Sequence, residues 1–175
     1  MWEKLKSRPT AWLIVGVCVG TLVRGVWSET PAFAVATDSD EHCAIATGPL
    51  DDSFEAFYFL DFATGELKGT ALSPMTRKFF ASFHANVAQD LGIDLRHNAK
   101  YLLTTGNALF RPSGGPVQPA NAVVYVFEQT SGKVGVYAVP WSPMQATTAT
   151  PVRNAPLKLL DVQQLRAPLA PDEDR

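Results

Sequence analysis

The stretch Ala56-Phe-Tyr-Phe-Leu-Asp-Phe-Ala-Thr-Gly-Glu-Leu-Lys-Gly-Thr-Ala-Leu72 has a second version in Val123-Val-Tyr-Val-Phe-Glu-Gln-Thr-Ser-Gly-Lys-Val-Gly-Val-Tyr-Ala-Val139. Each joins an aromatic and β-branched run to a second run across an acidic-x-x-(Thr/Ser)-Gly turn. Tyr58 matches Tyr125, Asp61 matches Glu128, and Gly65 matches Gly132. The acid closes the first strand, and the glycine ends a short loop because it can take a positive φ without steric cost. The flanking runs are alternating or nearly continuous in apolar residues, as strands are. Each stretch therefore reads as a β-hairpin.

A further strand precedes each hairpin: Cys43-Ala-Ile-Ala-Thr-Gly48 and Tyr101-Leu-Leu-Thr-Thr-Gly106. The unit is strand, loop, hairpin, and it occurs twice, over 41–72 and 100–139. Pro49 to Glu55 forms the first loop and Asn107 to Asn121 the second. Within the latter, Arg111-Pro-Ser-Gly-Gly-Pro-Val-Gln-Pro119 is expected to be exposed and mobile. Between the units an amphipathic helix is predicted over 74–91. Ser73 suits its N-cap and Pro74 its first position. Phe79, Phe83, Val87 and Leu91 recur every four residues with Phe80 beside them, and Gly92 is placed to end it. The expectation is a mainly β, α+β domain: a duplicated unit forming an antiparallel sheet, with one helix packed on it.

Outside this domain the chain changes character. Lys4, Lys6 and Arg8 precede an apolar run from Ala11 to Val23, which Arg24 interrupts and Gly25 to Trp27 extend. A basic start before an apolar run is an export signal. It reads either as a cleaved signal peptide, with small-x-small sites at Ala32-Phe33-Ala34 and Ala34-Val35-Ala36, or as a single transmembrane helix over 11–27. In the second case Trp12 and Trp27 lie near the interfaces. Val15-Gly-Val-Cys18 resembles a lipoprotein cleavage box, but Val17 before the cysteine argues against lipidation. The predicted organisation is 1–36 signal or anchor, 37–143 exported domain, and 144–175 linker, short last element and acidic tail. Leu157 to Leu165 is the last short strand or amphipathic turn, and Ala167 to Arg175 is expected to be disordered. The location is then a cell membrane with the N-terminus cytoplasmic, or the periplasm or exterior after cleavage.

The chain has 175 residues, 46% of them hydrophobic and 18% charged, which excludes a wholly disordered polypeptide. With 15 basic and 17 acidic residues its net charge is -2, and bulk charge gives no support to nucleic-acid binding. Cys18 lies in the apolar segment and Cys43 in the exported part, so the two are not expected to pair.

The hairpins resemble blades of a β-propeller, in which an acidic-x-x-Thr-Gly turn recurs. Closure of a propeller takes about four blades, which two partial units do not supply. The chain also resembles small exported proteins of unknown function encoded by planctomycete bacteria. The matching stretches are Ala34 to Asp38, Phe57 to Lys68, Thr76 to Phe79, Lys100 to Gly106 and Val123 to Pro143. That resemblance implies no chemistry.

No catalytic, cofactor-binding or metal-binding residue is predicted. His42, His84 and His97 have no metal-binding spacing, and Cys43 has no second cysteine near it in the exported part. His42 and Cys43 are strand neighbours that point to opposite faces, a poor dyad. His84 reads as a boundary residue on an aromatic ring. Asp38, Asp40, Glu41, Asp51 and Asp52 flank the first strand. Calcium binding is one reading and a solvated acidic edge the stronger one. Asp90, Asp94, Arg96 and His97 suit loop capping and ion pairing. Gly114-Gly-Pro116 is no phosphate loop, and no Gly-x-Ser-x-Gly occurs. Tyr125, Tyr137 and Trp141 could line an aromatic patch, although strand spacing favours core or cross-strand pairs. The leading functional expectation is a non-enzymatic, exported or membrane-tethered module that binds another protein or itself. The alternative is a small-ligand or divalent-cation binder, and an enzyme with a degenerate site ranks behind both.

Overall fold

A computed structural model describes residues 36–111, 117–142 and 152–169 of the chain. Every described residue belongs to one compact unit. The predicted export segment lies outside the described residues. Among those that are described, no helix is long and apolar enough to cross a membrane.

The strands are β1 (Thr37–Ser39), β2 (Cys43–Pro49), β3 (Glu55–Asp61), β4 (Glu66–Leu72) and β5 (Phe79–Asn86). A short helix α1 (Val87–Leu91) and a 3-10 turn (Leu95–His97) follow. Then come β6 (Tyr101–Asn107), β7 (Gln118–Glu128), β8 (Lys133–Trp141), β9 (Val152–Pro156) and β10 (Lys158–Gln164). The mainly β reading holds, but the two units lie in two sheets. One sheet has the order β1-β2-β3-β4-β5-β9, the other β10-β8-β7-β6. All pairings are antiparallel except β5 with β9.

Both hairpins form as read. Gly65 and Gly132 have φ of 66° and 73°. Their N–H groups donate to the carbonyls of Asp61 and Glu128 at 2.8 and 3.0 Å. The acid side chains complete each turn. Asp61 Oδ1 accepts from Ala63 N, and the Glu128 carboxylate accepts from Thr130 N and Ser131 N.

The duplication extends to register. Cys43 pairs with Asp61 and Gly48 with Ala56, as Tyr101 pairs with Glu128 and Gly106 with Val123. Ala56 pairs with Ala71 as Val123 pairs with Ala138. Yet the units bury opposite faces. In the first, Ala44, Ala46, Tyr58 and Leu60 point into the core; in the second their counterparts Leu102, Thr104, Tyr125 and Phe127 point out. In the first unit Glu66 and Lys68 alternate with buried Leu67 and mark the outer face, but the second unit is apolar on both faces, so a two-residue period does not choose there. The choice is tertiary. Where β2 meets β6, a Cβ on Gly48 would lie 2.9 Å from the Thr105 side chain, and Thr105 Oγ1 donates to the Thr47 carbonyl.

The predicted helix over 74–91 is corrected. Residues 79–86 form β5, paired along β4, and the helix is only Val87–Leu91. A spacing of four is also a multiple of the strand period of two, so the pattern does not separate helix from strand; in β5 a register shift opposite Leu72 leaves Phe79 exposed while Phe83 is buried. The aromatic residues favour a strand, and β4 offers an edge to pair with. The start signals at Ser73 act on a single turn. Thr76 N donates to Ser73 Oγ, Arg77 N donates to the Ser73 carbonyl at 2.8 Å, and Arg77 takes φ 55°. This is the turn of Gly65 and Gly132 again, one helical turn that is not continued. Gly92 does end α1, at φ 64°, and Asn86 caps its start.

One hydrophobic core lies between the sheets. Tyr58, Leu60, Leu67 and Phe83 of one meet Leu103, Val124, Tyr137 and Val139 of the other, with Val87 and Leu91 from α1. The element expected over 157–165 as a short strand or an amphipathic turn is strand β10, paired with β8. Only Leu157 separates it from β9, so the chain crosses from one sheet to the other there. Pro156 and the left-handed Asn154 masked the β9 strand in the sequence. Gln118 to Asn121, read as loop, extend β7, while residues 112–116 lie outside the described part.

Candidate functional site: an open strand edge and an apolar sheet end

The polar residues singled out in the sequence are mostly absorbed by the turns. Asp40 Oδ1 accepts from His42 N and Cys43 N, both at 2.7 Å. Those bonds hold its carboxyl below the usual range. Asp51 Oδ1 accepts from Ser53 N and Phe54 N, and its Oδ2 takes the Trp141 indole N–H at 2.7 Å. The tie to Trp141 fixes an aromatic cluster in which Phe54, Phe80 and Trp141 have centroids 5.6–5.9 Å apart. Partial burial and then Asp40 push the Cys43 thiol up, away from a reactive thiolate. Asp94 caps the 3-10 turn through Arg96 N and forms an ion pair with the Arg96 guanidinium. Among the described residues no group of three His, Cys, Asp or Glu side chains is placed to hold a metal ion.

Tyr125, Tyr137 and Trp141 do not share a patch. Tyr137 and Trp141 are buried, while Tyr125 is 39% exposed on the opposite face, its ring over Gly106. That outer face of the second unit carries Leu102, Thr104 and Gly106 on β6, Val123, Tyr125 and Phe127 on β7, and Val134, Val136 and Ala138 on β8. None of these side chains is charged.

Two surfaces remain. The first is the edge strand β10, exposed over nearly its whole length. Leu165 N donates to the Gly132 carbonyl, which sets the phase of the ladder. The main-chain groups of Asp161 and Gln163 then face β8, and those of Val162 and Gln164 face away. Exposed apolar side chains line this edge: Leu160, Val162, Leu165 and, beyond it, Leu169. A bulge at Leu160 confines the regular edge to residues 161–165.

The second surface lies at one end of the six-stranded sheet, where β2 and β4 finish and β3 and β5 begin. Phe57 is 41% exposed, Leu72 50%, Phe79 69% and Met75, in the β4–β5 turn, 84%. Leu72 pairs with Phe79, and Phe57 with both Thr47 and Thr70. Thr47, Thr70, Phe57, Leu72 and Phe79 line an open groove of about 270 Å³. The sequence reading missed this surface because it placed Phe79 on the buried side of a helix. The signal available was the likeness of Ser73–Arg77 to the other two turns.

No protein-family model matches the chain, and neither a curated protein nor a solved structure is detectably similar to it.

Proposed function

We propose that this chain is a non-enzymatic β-sandwich module that assembles with another protein chain by accepting an added strand at β10. The observation that supports this is the exposed edge at Val162 and Gln164, flanked by exposed Leu160, Val162 and Leu165; the outward Val162 N–H is met by the Asp161 carboxylate of its own strand at 2.9 Å, a bond that an incoming strand displaces. Unpaired edge groups recruit a strand, and alternate side chains supply specificity. Proline placed at Val162 removes an outward N–H and spares the ladder to β8. Proline at Gln163 removes an inward one. The native mass of the full chain, in mild detergent at its own expression level, tests the reading. Association is expected in the unaltered protein and lost in Val162→Pro with the fold intact by circular dichroism. A monomer from the outset, or assembly unaffected by Val162→Pro, rejects it.

A second reading is small-ligand or cation binding in the hollow of about 380 Å³ between Pro49, Asp52, Asn107, Leu109 and Asn121. The polar groups of Asp52, Asn107 and Asn121 favour it, while a mostly apolar lining and the engagement of both oxygens of Asp51, which also lines it, weaken it. Calorimetry with calcium and a metabolite panel separates the two readings.

A further inference from the structure

We propose that the apolar end of the six-stranded sheet, built from Phe57, Leu72, Met75 and Phe79, rests in the interfacial layer of a lipid bilayer. The inference goes beyond strand addition at β10, and it rests on reading residues 11–27 as an uncleaved anchor.

The position of this end carries the argument. Thr47 N donates to the Ala36 carbonyl at 2.9 Å, so the chain joins the sandwich beside Thr47. Thr47 lines the groove and is the cross-strand partner of Phe57. Two strand spacings, about 10 Å, separate Ala36 from Phe57. Only residues 28–35 intervene between Trp27 and Ala36, and such a segment spans at most about 30 Å when fully extended. The exposed apolar end therefore lies beside the point where the described chain begins. Tethering makes a weak second contact intramolecular.

The chemistry of the end fits an interface. Met75 and Phe79 project from an ordered turn, closed by the Arg77 N–H to Ser73 carbonyl bond and by Ser73 N to the Lys78 carbonyl. Arg77 and Lys78 lie between Met75 and Phe79, and their long side chains can reach phosphate while the apolar groups sit lower. Glu55, paired with Pro49, is the acid on the groove wall and belongs at its wet rim. Such a ring of exposed apolar side chains is larger than the scattered singles of an ordinary surface.

The test uses the full chain in vesicles of phosphatidylcholine with phosphatidylglycerol. Cys18 and Cys43 are replaced by alanine. A bimane label is placed by Met75→Cys or, as a control at the opposite end of the sheet, by Ala63→Cys. Lipids carrying a nitroxide near the headgroup serve as quencher. The expected result is at least a twofold loss of intensity at position 75, none at 63, and loss of the effect in the Leu72→Asp/Phe79→Asp variant. Flotation of the chain with the vesicles, but equal quenching at 75 and 63, overturns the proposal and leaves the anchor reading standing. Failure to float overturns both. A blue-shifted but unquenched label at 75 means that a protein covers this end, and also overturns it.

Discussion

Gly65 sits where the β3–β4 turn meets α1. Its φ of 66° is left-handed, and a Cβ built on it would lie 2.5 Å from Ala88 Cβ. Val87 N also donates to the Gly65 carbonyl, so the turn cannot swing away without losing that bond. Gly65→Ala is expected to cost about 1–2 kcal/mol for the left-handed backbone and about 1–3 kcal/mol for overpacking. Ala88→Gly alone should cost about 1 kcal/mol through helix propensity. In the Ala88→Gly background the closest atom is gone, and the nearest left is the Ala88 backbone nitrogen at 3.0 Å. There Gly65→Ala should cost mainly the backbone term, so the two changes couple by about 1–3 kcal/mol. Urea unfolding of the four proteins, followed by far-ultraviolet circular dichroism, measures the cycle if the m-values agree. Equal costs of Gly65→Ala in both backgrounds, within about 0.5 kcal/mol, would refute the steric part. No cost in either would refute the conformational part as well.

Arg77 holds the same turn position without being glycine, so Arg77→Gly should be neutral or stabilise by up to about 1 kcal/mol, read as a urea midpoint. The Tyr58 hydroxyl is buried without a hydrogen-bond partner, and burial pushes its ionisation up. Tyr58→Phe should leave the melting temperature unchanged or raise it, since an unsatisfied buried hydroxyl costs about 1–3 kcal/mol; a fall of several degrees would show that the hydroxyl is satisfied. Burial raises the Glu128 carboxyl, but hydrogen bonds from Ser131 and Thr130 outweigh it and the net shift is downward. A folded pKa below the unfolded one contributes stability that is present above the unfolded value of about 4.3 and is lost as pH falls through the folded value. Glu128→Gln should therefore cost about 1–3 kcal/mol at pH 7, and the gap to the unaltered protein should close in acid; a gap independent of pH would reject this account.

Much of this chain is legible within windows of about ten residues. A glycine after an acid and a Thr or Ser fixed both hairpin turns, because positive φ and a capped α-turn are local properties. Gly92 ended α1 for the same reason, and the runs 43–48 and 101–106 located strands, whereas 157–165 read equally as a strand or an amphipathic turn until its pairing with β8 decided it. The repeat between the units returns in their identical register. Packing between distant residues settled the rest. Phe79 to Asn86 carry a pattern that a helix and a strand both satisfy, and the open side of β4 resolved it. Val152 to Pro156 have no strand signal of their own and pair because β5 lies beside them. The second unit is apolar on both faces, so its sequence could not say that Tyr125 would be exposed where its counterpart Tyr58 is buried. The crossing of Gly48 over Thr105 and the passage at Leu157 determined that. For the same reason the exposed end at Leu72, Met75 and Phe79 came into view only in three dimensions: whether an apolar side chain is covered depends on which distant strand reaches it.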